Sequence, residues 1–385
     1  MRFDNQLRHA VSILDLYRGD MPLSVWLKDY FRLNKQMGSR DRRLLSALVY
    51  GFFRLGHAVR NLSAGERCLA GLFFASDQPN ELLDYFNPEY NARVGLPLTG
   101  KVAFFQSQPS GAGFRVTDIF PWSDQLSEGI DHAAFCLSFL RQPDLFLRIR
   151  PGYESLVREK LGEGVFIPPF TLRLANGTKV EDVLTPDREV VVQDYSSQRI
   201  AEFLQLDPAP QFFWDACAAS GGKAILTYDL YPGLDITVSD IRQTILHNLR
   251  RRFAEAGIKK YQSFVVDLTR DYPPDAAANA DLVLADVPCT GSGTWGRTPE
   301  DLWFFDPAKV DEYALRQRRI IGHIAPRLSP GACLVYSTCS VFRKENEEMA
   351  AYIRDGWGLK MEKTENLKGY DQRGDTLYAA RFRKG

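Results

Sequence analysis

The residues best equipped for chemistry are two cysteines and a set of carboxylates that recur at matching places in the chain. Cys289 lies in "DLVLADVPCTGSG" and Cys339 in "CLVYSTCS". Each comes after a short apolar run that reads as a buried strand. A thiol becomes a nucleophile when a helix N-terminus or a nearby cation favours its deprotonation. Lys223, in "DACAASGGK", is the candidate cation. Taken singly, Cys289 or Cys339 also reads as a small buried hydrophobe. Cys217 and Cys333 read as packing or backbone-contact residues, and Cys68 and Cys136 as structural ones.

Asp215, Asp240, Asp267 and Asp286 close four successive apolar runs. The turn after Asp215 is made of small residues and two glycines, which let a ligand approach the backbone and permit positive φ. It fits neither GxxxxGK[ST] nor GxGxxG. An acid at Asp240 can accept hydrogen bonds from both hydroxyls of a ribose. One at Asp267 can meet an adenine edge. Alone, each reads as a helix N-cap. Together with the Gly-rich turn they favour a nucleoside-containing cofactor. Asp286, close to Pro288 in a loop with Gly291 and Gly293, suits a polar group held near a planar substrate.

The elements that must position these residues are legible from about residue 191. Strands "FFWDA", "DITVSD", "SFVVD", "DLVLAD" and "CLVYST" alternate with helices "IRQTILHNLRRRFAEAG" and "VDEYALRQRRIIGHIAPRL". Ile241, Ile245, Leu249 and Phe253 form the predicted apolar stripe of the first helix. The alternation predicts a doubly wound, mainly parallel sheet. Ligands in such sheets bind outside the carboxyl ends of the strands, where the four acids and Cys339 fall. Residues 143–190 read as a small α+β unit, with strands in "DLFLRIRPG", "FTLRLANG" and "REVVVQD" and a helix in "ESLVREKLGEG". Residues 1–142 read as helical, with Ser39 as a candidate N-cap.

A chain of 385 residues predicts two or three domains. Hydrophobic content of 45% and charged content of 25% are those of a globular chain. Net charge is zero, yet residues 1–60 hold eleven Lys and Arg against five Asp, an excess that could meet phosphate or form a solvated helix face. The six cysteines form no CxxC pair and have no His cluster beside them, so no metal is expected. With no apolar leader or membrane-length apolar run, the expected setting is cytoplasmic, without a membrane.

Four ordered stretches carry a resemblance. They are Gln193–Gln198 ("QDYSSQ"), Asp215–Lys223, Asp286–Gly293, and Tyr336–Ser340 with Glu345–Asn346–Glu347. Together they resemble the motifs of the Sun, or RsmB-like, family of S-adenosylmethionine-dependent RNA cytosine-5 methyltransferases. The resemblance implies a Rossmann-like catalytic domain at 191–385, a helical NusB-like RNA-binding domain at 1–142 and a small RRM-like linking domain at 143–190. It implies S-adenosylmethionine held by Cys217, Ala218, Ala219, Ser220, Gly221, Gly222, Lys223, Asp240, Asp267 and Asp286. It implies Cys339 as the nucleophile, Cys289 as the residue that aids release, and Asp286 holding the base. The implied partner is single-stranded or looped RNA, expected to be ribosomal, met by a monomer. The alternatives are the same chemistry on tRNA, a DNA or small-molecule methyltransferase, and a binding-only ribosome-assembly protein on the same scaffold. Three departures stand out: Ser220 replaces a usual proline, "GTWGRTPED" replaces an arginine-rich run and leaves Arg297 as its candidate contact, and "GDTLYAARF" replaces the usual C-terminal pattern.

Overall fold

The computed structural model of the protein describes residues 2–162 and 165–385. The last two residues of the predicted helix "ESLVREKLGEG" lie outside the described residues. Packing divides the chain into two compact units that do not follow chain order. One is Met1–Asp124, Asp131–Gln142 and Trp295–Asp306; the other is Gln125–Ile130, Pro143–Thr294 and Pro307–Gly385.

The first unit is helical. Its longest helices are Arg2–Leu16, Leu23–Leu33, Ser39–Arg54 and Ala64–Ala75. Ala10 and Ile13, with Tyr17 just past the first helix, form the stripe it buries. Ser39 is the first helical residue and Gly38 the N-cap, with no side-chain cap. Arg54 does not contribute to a basic surface. It is buried and donates to the carbonyls of Phe139, Arg141 and Gly296 at 3.1, 2.9 and 3.0 Å. The run around Arg297 also belongs to this unit, where Trp295, Glu300 and Leu302 are buried and Glu300 accepts the Leu23 N–H at 2.9 Å. Much of that run is therefore core.

The second unit holds two sheets. Strands β1 (Leu145–Ile149), β2 (Val165–Ile167), β3 (Thr171–Leu174) and β4 (Val190–Val192) form an antiparallel sheet in the order β2-β3-β1-β4. The sequence pattern predicts β1, β3 and β4; β2 is a fourth strand, too short to announce itself. Arg148 and Arg150 of this part both donate to the largely covered carboxylate of Asp229, on helix Gly222–Leu230, at 2.5 and 2.6 Å. Residues 143–190 thus share one compact unit with the larger sheet.

That larger sheet comprises β5 (Phe212–Asp215), β6 (Asp235–Asp240), β7 (Gln262–Val265), β8 (Leu282–Asp286), β9 (Cys333–Thr338), β10 (Leu359–Leu367) and β11 (Leu377–Lys384). Its order is β10-β11-β9-β8-β5-β6-β7, parallel from β7 through β9 and antiparallel at β11 and β10. This is the class I, Rossmann-like α/β arrangement. Alternate residues serve opposite faces, as strand geometry requires. Phe213, Val238 and Val335 join Leu249 and Phe253 of helix Gln243–Glu255 on one face. Trp214, Val283 and Leu334 join Ile320 and Ile321 of helix Ala308–Ile324 on the other. Among the described residues no helix is long and apolar enough to cross a membrane.

Candidate active site

The carboxyl ends of β5 to β9 converge as the sheet topology demands. β5 passes into a tight turn in which Ala219 has φ +45° and Gly221 φ +85°, after which helix Gly222–Leu230 begins. Left-handed backbone is costly for a residue with a side chain. The Ala219 conformation is held because its N–H donates to Asp240 Oδ2 at 3.0 Å, while the Ala218 N–H reaches the Ser239 carbonyl at 2.8 Å. At Gly221 a Cβ would lie 2.9 Å from Phe253 and 3.0 Å from Leu249, so φ and packing both call for glycine.

A cavity of about 810 Å³, within the range that holds small ligands, opens against this turn. Cys217, Ala219, Asp240, Asp267, Asp286 and Cys289 are among its lining residues. Asp240 accepts the Arg242 N–H at 2.9 Å as well as that of Ala219. Asp267 lies two residues past β7, where it accepts from the Thr269 hydroxyl at 2.6 Å and N–H at 3.0 Å. The Thr269 hydroxyl bond, above all, holds its carboxyl below the ordinary range.

Lys223 Nζ donates to Asp286 Oδ2 at 2.6 Å, and Asp286 Oδ1 is buried without a hydrogen-bond partner among the described residues. Burial alone would lower the Lys223 pKa. The charges of Asp286 and Cys339, with the Asp286 bond, outweigh it and hold the ammonium above the usual lysine value. Asp215 is fully buried. Desolvation, then the nearby Asp286 charge, pushes its carboxyl up to about 8.

The two cysteines meet. The Cys339 N–H donates to Cys289 Sγ at 3.2 Å. A hydrogen bond with the Cys339 side chain, then burial, pushes the Cys289 thiol well above its ordinary value. Both residues are half-buried. Cys68, Cys136 and Cys333 are buried, and burial pushes each thiol up to about 12, so they are unreactive packing residues. Among the described residues no group of three or more His, Cys, Asp or Glu could hold a metal.

The loops after β8 and β9 are tied by a buried carboxylate. Glu345 Oε1 accepts the Thr290 N–H at 2.9 Å and Gln317 Nε2 at 2.9 Å. Its Oε2 accepts the Thr290 hydroxyl at 2.6 Å and the Ser340 hydroxyl. Asn346 accepts from the Thr338 hydroxyl at 2.6 Å and donates to the Ser340 carbonyl at 2.9 Å. Gly293 closes the layer. Its N–H reaches the Cys339 carbonyl at 2.8 Å, and its carbonyl accepts the Thr376 N–H at 2.9 Å. A Cβ there would sit 1.8 Å from the Thr376 oxygen. The "QDYSSQ" stretch holds the same region: Asp194 Oδ2 accepts the Asp375 N–H at 3.1 Å, and the Ser196 hydroxyl donates to the Asp375 carbonyl at 2.6 Å.

The structure thus gathers Cys289, Cys339, Asp286 and Lys223, and sets Cys217, Ala219, Asp240 and Asp267 on the cavity wall. It sets the other turn residues elsewhere. Ala218 is buried. Ser220 presents its hydroxyl and carbonyl to Arg252 at 2.8 and 3.2 Å. Gly221 packs against helix Gln243–Glu255. The sequence pattern assigns no role to Glu345, Thr290, Ser340 or Gln317. The only signal for them is the acid and amide, Glu345 and Asn346, shortly after Cys339.

Residues 201–376 match the family model of the 16S rRNA methyltransferase RsmB/F. Over this segment, somewhat less than half of the chain, the protein is similar to the RsmB/F methyltransferase family. Ribosomal RNA small subunit methyltransferase B of Xanthomonas campestris pv. campestris is 34% identical over 176 residues, 43% of this chain and 38% of the relative. That of Salmonella agona is 30% identical over 271 residues, 63% of this chain and 61% of the relative. The matches thus span about half the length of these relatives. The crystal structure of PH0851 superposes with a TM-score of 0.66 at 19% identity, covering 93% of each chain. A methyltransferase homolog protein from Pyrococcus horikoshii gives 0.56 at 20% identity, over 68% of this chain and 92% of its own. These two likenesses carry the fold. S-adenosylmethionine is the cofactor of the RsmB/F family. The residues fit it: carboxylates at the end of β6 and just past β7, a turn without bulky side chains, and one cavity that also reaches Asp286 and Cys289.

Proposed function

We propose that the chain is an S-adenosylmethionine-dependent RNA cytosine-5 methyltransferase acting on unpaired cytosine, with ribosomal RNA as its substrate class. The observation that carries this reading is the meeting of Asp286, Cys289 and Cys339 at and just past the ends of β8 and β9, with Lys223 of helix Gly222–Leu230 bound to Asp286, beside one cavity that Asp286 and Cys289 line.

Carbon 5 of cytosine is a poor nucleophile. Addition of the Cys339 thiolate to carbon 6 moves electron density onto carbon 5. Lys223 supports that thiolate through its positive charge and holds Asp286 in place. Asp286 Oδ1, buried and unbonded among the described residues, is suited to accept a hydrogen bond from the exocyclic amine of the base. Asp240 would hold the ribose of S-adenosylmethionine, Asp267 its adenine edge, and the cavity wall at Cys217 and Ala219 its amino-acid end. When bound, that cofactor supplies an electrophilic methyl group. Afterwards the proton on carbon 5 must pass to a basic group or to water as the carbon–sulfur bond breaks, its electron pair re-forming the ring double bond, and Cys339 departs as thiolate. Cys289 is the group assigned to that release. The base must be unpaired or flipped to enter.

The test uses radiolabelled S-adenosylmethionine and total RNA. Cys339→Ala is expected to lose both methylation and any covalent RNA adduct. Cys289→Ala is expected to accumulate a protease-sensitive, RNA-linked band. Exchanged phenotypes would reverse the two roles. Absence of cofactor binding by the unaltered protein in calorimetry would end the enzyme reading.

A further inference from the structure

The cysteines sit on separate loops, yet their separation is fixed by a group that touches neither sulfur. Thr290 and Ser340 come directly after Cys289 and Cys339 in the chain. Both bind one buried side chain, Glu345. Gln317 fixes that carboxylate from the neighbouring helix, and also reaches the Pro288 carbonyl at 3.1 Å, one residue before Cys289. Tyr336 on β9 completes the ring, donating to Gln317 Oε1 at 3.1 Å and to the Glu345 carbonyl at 2.7 Å. Three side chains and one backbone N–H thus occupy both oxygens of one fully buried acid. A buried carboxylate is costly unless its hydrogen bonds are satisfied, so such a network has one stable arrangement.

We propose that Glu345 is a positioning residue that locks the loops of Cys289 and Cys339 at one separation and so keeps the two thiols in distinct roles. The inference rests on the assignment of those roles above. Glu345 makes no contact with the reacting atoms. It acts through Thr290 and Ser340 on where the sulfurs stand, and through its charge on which sulfur ionises. The titratable groups that feel it are Cys289, Tyr313 and Tyr336, and its field opposes ionisation of Cys289. Burial raises the Glu345 carboxyl itself, while Ser340, Thr290 and Gln317 pull it back.

Two variants separate geometry from charge. Glu345→Ala removes the bridge. Glu345→Gln can keep it, since the two hydroxyls can turn to accept, but carries no charge. Under saturating cofactor and RNA, Glu345→Ala is expected to lower kcat by about tenfold or more with little change in KM for S-adenosylmethionine, the cost of misplaced reacting groups. Glu345→Gln is expected to recover most of that loss. In a Cys339→Ser chain, iodoacetamide alkylation of Cys289 against pH is expected to shift its midpoint downward when Glu345→Gln is added. Full kcat in a folded, cofactor-binding Glu345→Ala chain, or an unmoved alkylation midpoint with Glu345→Gln, overturns the proposal. Should Glu345→Ala fail to fold, the Glu345→Gln midpoint decides alone. Failure of the unaltered chain to methylate RNA would instead overturn the enzyme reading, and the alkylation arm would still report on Glu345.

Discussion

The turn after β5 and the loops after β8 and β9 lie at the same end of one sheet but are held by different means. The turn is set mainly by backbone. Ala219 and Gly221 take positive φ, and the backbone N–H groups of Ala218 and Ala219 are received by Ser239 and Asp240 on β6. The cysteine loops are set mainly by side chains, through Glu345, Asn346, Thr290, Ser340 and Gln317. A backbone-held turn tolerates changes in side chains that point away from its ligand. A side-chain network tolerates little, because removing one member strands the others without partners. This accounts for Ser220 in place of proline: its hydroxyl faces Arg252.

The comparison breaks most readily at Gly293, where a methyl group would collide with backbone that cannot rotate away. Gly293→Ala is expected to cost roughly 3 kcal/mol of stability, read as a lower urea midpoint, with loss of methylation. A variant of unchanged stability would mean that the backbone at Thr376 is not fixed against this loop. Asp215 tests the boundary between the two regions. Its carboxyl, raised by burial to about 8, binds a proton in the folded state that the unfolded chain has released. Its contribution to stability therefore falls as pH rises between the two pKa values. From about pH 6 to about pH 8 the loss is roughly 2 kcal/mol, and Asp215→Asn is expected to remove that slope in urea unfolding. A parallel slope in the variant would show that Asp215 is ionised in the fold. The smallest effect belongs to the turn itself. Ser220→Ala gives up the Arg252 bond and is expected to change cofactor affinity in calorimetry by no more than about 1 kcal/mol. A larger loss would mean that this side chain shapes the cavity.

The parallel strands are legible because they are short apolar runs closed by polar residues; β9 and β6 match their predicted runs residue for residue. β10 and β11 are not. β10 alternates charged, exposed residues with partly buried ones at the sheet edge, and its pattern slips at a bulge between Met361 and Lys363. Ile241 fits the apolar stripe of its helix by spacing, yet that helix starts at Gln243 and Ile241 is 55% exposed. Of the site, the reactive types at strand ends are readable, since topology alone brings strand ends together. The role of Glu345 is not, because its meaning lies in partners as distant in sequence as Thr290 and Gln317. The run around Arg297 misleads for a related reason: its polar look hides Trp295 and Leu302, which are core.

β11 lies between β9 and β10, although β10 precedes it in the chain. A ribosome therefore releases Cys339 before the strand that flanks β9, and before Thr376, which takes up the Gly293 carbonyl. In the nascent chain one edge of β9 stays open until residues 377–384 emerge. The loop of Cys289 therefore gains its tie to Thr376 only after both cysteines have been made.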